Sequence, residues 1–332
     1  MGFARDLYPG PREGFKWTPQ DILGFGLMPH VGNIWYVDGV NGADTNSGKS
    51  HQEAFASLYK AHTAASDNNY DVILVTSAGT GSGSGTNESA AVSGGAWTFS
   101  KNLVTVMGVS APVVVSNRSR ILWDTAGQST SSALLTISGS GNSFVNLQFA
   151  TFVDNNILAT VTGDRNYFSR VHFAGIGDAT AGDDTAARSL KVADGDENLF
   201  EDCTIGVDTV ARSTTNAELE LSGESQRNIF RNCRFLAFAD NAGHLFVDAN
   251  TAGDVDRWTI FEGCYFLNSI KSTATTMTVA IDSHASLGGA LVLSNSWLFG
   301  ATDWADDFTN VYTAGGMAAA TAATAGLMAV AA

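Results

Sequence analysis

One eight-residue pattern constrains this chain more than anything else in it. It reads Asn198-Leu199-Phe200-Glu201-Asp202-Cys203-Thr204-Ile205, then Asn228-Ile229-Phe230-Arg231-Asn232-Cys233-Arg234-Phe235. Asn142, Phe144, Leu147 and Phe149 repeat it, as do Asn166, Phe168, Val171 and Phe173. Phe261, Cys264 and Phe266 repeat it without the Asn, and Leu293, Ser296 and Leu298 form a faded copy. Asn102, Val104, Met107 and Val109 form an aliphatic copy near the start. The apolar anchors fall at 104, 144, 168, 200, 230, 261 and 293. A drifting period of about 30 residues predicts a solenoid whose turns differ in loop length.

Within each copy the apolar places are three apart, then two. Alternation by two is a strand, and the extra residue is a phase break that turns a corner. A second alternation precedes each copy: Leu135/Ile137, Leu190/Val192, Leu219/Leu221 and Leu245/Val247. Each coil therefore has about three short strands, and about seven coils predict a rod roughly 30–35 Å long. The interior becomes ladders of like residues, with Phe144, Phe168, Phe200, Phe230 and Phe261 in one and Cys203, Cys233 and Cys264 in another. Outside, Glu201, Arg231 and Glu262 fall in one column of alternating sign. Arg170 lies over Asp202, and Lys191 over Glu220. Unlike charges on adjacent strands favour this register. Asn142, Asn166, Asn198 and Asn228 read as corner residues, because Asn tolerates left-handed backbone and stacked amides bond one another.

The 332 residues include 35 Gly and only 5 Pro, and 15% are charged. That mixture favours short strands and turns over long amphipathic helices. A net charge of −15 argues against a nucleic-acid partner, which needs clustered Lys and Arg. Three Cys at equivalent repeat places do not suggest a disulfide framework. The first residues lack the apolar region of a signal peptide, and no apolar run is long enough to span a membrane. These features predict a chain made in a reducing cytoplasm.

Residues 1–33 are Pro- and aromatic-rich, without a period. Phe3, Tyr8, Phe15, Trp17 and Phe25 are the anchors of an arm that folds over the body or reaches a partner. Residues 34–76 read as a strand (Ile34 to Val37), a polar turn, a helix from Gln52 to Ala65 and a second strand (Asp71 to Val75). The helix is expected to present Phe55, Leu58, Tyr59 and His62 on one face. Tyr36-Val37-Asp38-Gly39, then Asn41-Gly42-Ala43-Asp44-Thr45-Asn46-Ser47-Gly48, a Phe-containing helix and a strand resemble the opening of pectate-lyase-like right-handed parallel β-helix proteins. The match departs where that family places Gly-Asp, for here the residues are Asn69-Tyr70-Asp71. The resemblance implies an all-β, right-handed parallel β-helix over residues 77–312, with the helix capping its open end. Residues 77–96 read as a Gly/Ser-rich loop. Residues 313–332 are an uncharged Ala-rich tail carrying Leu327 and Met328.

No residue stands out as catalytic, cofactor-binding or metal-binding. The Cys spacing matches no zinc pattern. Asp38, Asn41, Asp44 and Asn46 have calcium-loop-like spacing without the terminal bidentate Glu, so an ordered turn is expected. Asp183-Asp184, Glu218 with Glu220, and Asp306-Asp307 read as solvated carboxylates, and His244 lacks a second flanking Gly. The β-helix, the terminal arms and the acidic shaft together resemble structural proteins of phage particles, which use such β-helices as trimers. That resemblance implies a non-enzymatic virion protein, decorating the capsid or sitting in the tail. Its partners would be copies of itself and the capsid protein. The alternative is a tailspike-like polysaccharide lyase or glycoside hydrolase on a surface glycan, for which acidic residues of adjacent coils near Glu218, Asp248 or Asp282 would argue. Exposed Trp258, Trp297 or Trp304 would instead mark a glycan-binding groove.

Overall fold

The structure is a computed structural model and describes residues 32–76, 85–93, 95–124, 133–154, 157–269 and 274–314. Three all-parallel sheets wind around one core. Sheet A stacks Ile34–Asp38, Val72–Thr76, Thr105–Gly108, Ser143–Val145, Tyr167–Ser169, Leu199–Glu201, Asn228–Arg231, Val255–Glu262, Gly288–Ser294 and Val311–Ala314 in that order. Sheet B runs from Thr86–Asn87 to Trp297–Phe299 and sheet C from Trp97–Phe99 to Ala301–Ala305, eight strands each. The chain is a right-handed parallel β-helix. The seven motif copies are the seven middle strands of sheet A. Strands without the motif, at 34–38, 72–76 and 311–314, lengthen the stack to ten, or about 43 Å at the usual strand spacing.

The predicted ladders are present. Phe144, Phe168, Phe200, Phe230, Phe261 and Leu293 are consecutive register partners. The Phe168, Phe200 and Phe230 rings stack with centroids 4.6 and 4.5 Å apart. A second ladder joins Phe149, Phe173, Ile205, Phe235, Phe266 and Leu298 across sheet B. The first motif copy lies two residues out of the expected register. Val106, not Val104, pairs with Phe144, and Val104 takes the place of the Asn. Aliphatic side chains at both places made the two registers indistinguishable. Leu245 is displaced likewise: Val247 pairs with Leu219, and Leu245 with Ala217.

The phase break is a left-handed residue. Asn146, Arg170, Asp202, Asn232, Gly263 and Asn295 have φ between 49° and 63° and turn each coil from sheet A into sheet B. Such backbone is costly for a non-Gly residue. Here each N–H from Asn146 to Gly263 donates to a carbonyl of the following coil, so that Arg170 N–H reaches Glu201 O and Asp202 N–H reaches Arg231 O. The Asn ladder works differently from the expectation. The left-handed residues are those just before it, Gly141, Arg165, Glu197 and Arg227. The Asn amides do not bond one another. Asn166, Asn198 and Asn228 each accept from the backbone N–H of the Asn one coil back, at 2.9 Å. Their amide nitrogens donate to Gly139, Gly163 and Gly195 carbonyls. Each side chain thus replaces a missing backbone bond at the bend.

The cysteines are thiols inside the core. Cys203, Cys233 and Cys264 donate to the Phe168, Phe200 and Phe230 carbonyls at 3.4, 3.3 and 3.2 Å. Ser296 makes the same bond to Phe261 O at 3.1 Å. Burial pushes the Cys203 and Cys233 thiols well above their ordinary range. Because Ser296 already fills this place, Cys233→Ser should cost no more than about 1 kcal/mol in a denaturation experiment. A loss twice that size would contradict the ladder role.

The N-terminal cassette caps the core with a shorter helix than expected. His51–Glu53 is one 3-10 turn, and the α-helix spans only Leu58–Ala64. Ser57 caps the helix by accepting Lys60 N–H, and Asp44 holds the link between the two segments, accepting Ala56 and Ser57 N–H and the Ser57 hydroxyl. Phe55 precedes the helix and is buried beside Val37. Tyr59 and His62 lie against Trp97 and Phe99, closing the end of the interior. Tyr70 (φ 55°) stands in the left-handed conformation that favours Gly, and Asp71 accepts Asn33 N–H, Ser66 N–H and the Trp35 indole. The departure from the family pattern is therefore at the Gly alone. Within the expected loop Thr86–Asn87 is a strand and Glu88–Ala91 a helical turn. Glu88 is buried and accepts from Leu58 N–H, Tyr59 N–H and the Thr86 hydroxyl, which pins this segment to the cap.

Candidate functional site

The outer face of sheet C carries one column of polar residues in register. It runs Thr98, Thr136, Thr160, Lys191, Glu220, Asp248 and Asp282. Asp306 follows Ala305, the partner of Ile281, and so extends the column by one coil. Four carboxyl groups on successive strands are unfavourable unless cations or protons intervene. Arg188 answers the first two, binding Glu220 at 2.9 Å and Asp248 at 2.6 Å. Lys191 also pairs with Glu220. Asp282 and Asp306 lie beyond this reach.

Crowding and burial bias Asp282 toward its protonated form. Burial, with Asp306 beside it and Asp248 near, raises its pKa from 3.8 to about 7. Its Oδ2 accepts Asn250 Nδ2 at 2.9 Å, while its Oδ1 is shielded from water without a hydrogen-bond partner. Asp306 accepts the Ser283 N–H. Burial also raises Asp254, with Glu220 and Asp248 adding to it. A protonated carboxyl beside an Arg-paired carboxylate is the raw material of general acid–base chemistry. Neighbouring strands lie about 4.8 Å apart, so carboxyls one or two strands apart bracket the two separations glycosidases use.

The raised Asp282 pKa gives a signed prediction. Stability present while Asp282 is protonated in both states is lost as pH rises from about 4 through 7. Asp282→Asn should therefore gain on the parent over that interval, by on the order of 1 kcal/mol after discounting for solvent screening. Melting curves at pH 4.5 and 7.5 test this, and a constant difference would refute the raised Asp282 titration.

Glu218 is corrected. It has the outward parity of Glu220, but the segment ending at Arg212 covers it completely. Arg212 Nε and Nη2 bind its Oε1 at 2.9 and 2.8 Å, and Ser189 donates to Oε2 at 2.5 Å. Burial pushes the Glu218 carboxyl up, and Arg212, His244 and Ser189 together more than offset that, leaving it below its ordinary value. His244 donates from Nδ1 to Asn216 Oδ1 at 2.7 Å, since the Asn216 nitrogen is committed to the Gly182 and Asp184 carbonyls. Its Nε2 faces Glu218 at 3.6 Å, and burial holds its pKa below the usual value. Nothing in the local pattern of Arg212 or Ser189 signals this network. A cation six residues before an acid in a strand is the nearest hint.

The other expectations divide. Asp38 accepts Val40 and Asn41 N–H, and Asn46 donates to Ala54 O, so this loop spends its oxygens and amides on backbone. Among the described residues no group of three His, Cys, Asp or Glu is placed to hold a metal ion. Asp184 and Asp307 cap their own turns through Ala186 and Thr309 N–H. Trp304 is buried edge-on to Phe266, and Trp258 is half-buried on sheet A. Trp297 is exposed on sheet B beside Tyr265, one coil away. Phe3, Tyr8, Phe15, Trp17, Phe25, Leu327 and Met328 lie outside the described residues.

Comparison with known proteins gives the fold and no more. No protein-family model matches the chain, and no curated protein sequence matches it. A pectin methylesterase D178A mutant in complex with a hexasaccharide superposes with TM-score 0.57 and 16% identity, over 89% of this chain and 93% of that one. The deglycosylated pectin methylesterase of Aspergillus niger gives 0.54 and 16%, over 85% and 84%. Pectate lyase Pel9A gives 0.52 and 16% over 81% of this chain, which spans only 63% of the lyase.

Proposed function

We propose that this chain is a non-enzymatic structural protein of a virus particle, a rigid acidic shaft anchored to the capsid or tail through its ends. One observation carries the reading: the repeating residues, inside and out, are spent on holding coil to coil. Phe, Asn and Cys rungs do this within. Outside, Arg165–Glu197–Arg227 and Glu201–Arg231–Glu262 neutralise one another along the rod. What does not repeat is the aromatic first segment and the uncharged last one, and these are the parts suited to gripping neighbours. A net charge of −15 keeps such a shaft soluble and away from packaged nucleic acid. Its partners are copies of itself and the capsid protein, and its place is the virion.

The column of Glu220, Asp248, Asp282 and Asp306 favours a second reading, an enzyme acting on an acidic or neutral surface glycan. Asp282 would be its acid and Asp248 its base or nucleophile. One pair of experiments separates the two. The full chain should co-sediment with capsid shells of the same source, and a chain lacking residues 1–31 should stay behind. Depolymerisation of a polysaccharide that disappears in Asp282→Asn would overturn the structural reading.

A further inference from the structure

The outer face of sheet A is self-complementary. Its middle column is apolar, with Tyr167, Leu199, Ile229, Ile260, Val292 and Tyr312 in register on successive strands. Two residues before these rungs runs a charge ladder, Arg165, Glu197 and Arg227, bonded at 2.8 and 3.2 Å, and next in that column stands Trp258. Two residues after them runs the opposite ladder, Glu201, Arg231 and Glu262, bonded at 3.6 and 2.9 Å. An apolar seam between charged rims is the anatomy of a protein interface.

We infer that this face pairs with a second copy of the chain, antiparallel, about a twofold axis perpendicular to the rod and between the strands Leu199–Glu201 and Asn228–Arg231. Ladders that alternate in sign meet unlike charges when reversed about a point midway between two rungs. This axis sets Glu197 against the partner's Arg227 and Glu201 against the partner's Arg231. Leu199 meets the partner's Ile229, and Tyr167 meets the partner's Ile260. Arg165, the most exposed of these cations, meets the partner's Trp258, whose ring face suits a guanidinium. The alternative face-to-face pairing, parallel and in register, would set Glu197 against Glu201 and Arg227 against Arg231. The charges therefore select the antiparallel dimer, and a twofold closes it. Eight overlapping strands, five residues wide, project about 34 by 13 Å. That is about 440 Å² a side, below a standard interface of about 800, so the dimer is weak and concentration-dependent.

The inference is independent of the virion reading, and full-length chain tests it. Sedimentation velocity across a micromolar series should show a monomer–dimer equilibrium, weakened by ~100-fold or more in Ile229→Arg. Arg231→Glu alone should weaken it, and Glu201→Arg added to it should restore it. The native cysteines are buried, so an introduced surface Cys is the reactive one. A mixture of Leu199→Cys and Ile229→Cys chains should oxidise to a covalent dimer that neither forms alone. A monomer at every concentration, a threefold assembly, a dimer indifferent to Ile229→Arg, or no mixed crosslink would each overturn it.

Discussion

Arg212→Met should destabilise the protein by about 3–5 kcal/mol at neutral pH, because it leaves a fully buried carboxylate without its cation. The sign with pH follows from the folded state. Glu218 titrates below its ordinary value of 4.5, so its pairing contributes above that pH and is lost as pH falls through the lower folded value. In the variant no cation holds the carboxyl ionised, and burial drives it to take up a proton. The deficit should therefore shrink when denaturant unfolding is repeated near pH 4.5. Equal deficits at the two pH values would mean that packing, not charge, sets the loss. Replacing both partners, Arg212→Met with Glu218→Met, should recover most of the stability, since the pair is costly to bury and worse to break.

Phe200→Ala should cost a similar amount, about 3–5 kcal/mol, because it opens a cavity at the centre of the longest ring ladder. Phe200 stacks on Phe168 at 4.6 Å and on Phe230 at 4.5 Å, so two coils lose contact at once. Phe200→Leu should cost much less, since Leu293 already fills the equivalent rung against Phe261. Urea unfolding of the two variants tests the contrast. A Phe200→Ala loss under about 1 kcal/mol would mean that the coils collapse onto the gap.

What was legible in the sequence was whatever repeats with a distinctive residue. Phe, Cys and Asn at fixed offsets gave the inner ladders, the corner and the sign-alternating Glu201–Arg231–Glu262 column, all in the register found. Where the residues were interchangeable, at Val104/Val106 and Leu245/Val247, parity was readable and register was not. The Asn role was half-legible, because composition does not distinguish a residue that bends from one that bonds the bend. Glu218 shows the deeper limit. Strand alternation placed it outward correctly, but only the path of the chain around Arg212 determines that outward is covered. The carboxyl column was half-legible for a related reason: Asp248 and Asp282 read as acids of adjacent coils, but the members are 28, 34 and 24 residues apart in loops of unequal length, and only stacking aligns them with Glu220 and Asp306.

The corner ladders have one more consequence. Asn198 and Asn228 occupy the same place on successive coils, each side chain accepting from the Asn of the coil before it. The piece between them, residues 198–227, is thus a complete and separable unit. Removing it would leave Glu197 followed by Asn228, with an Asn still following a left-handed residue. The separation of the two ends of this body is therefore quantised, in steps of one strand spacing of about 4.8 Å. Its length changes by adding or losing whole turns, which makes the shaft a molecular ruler whose graduations are written in Asn and Phe.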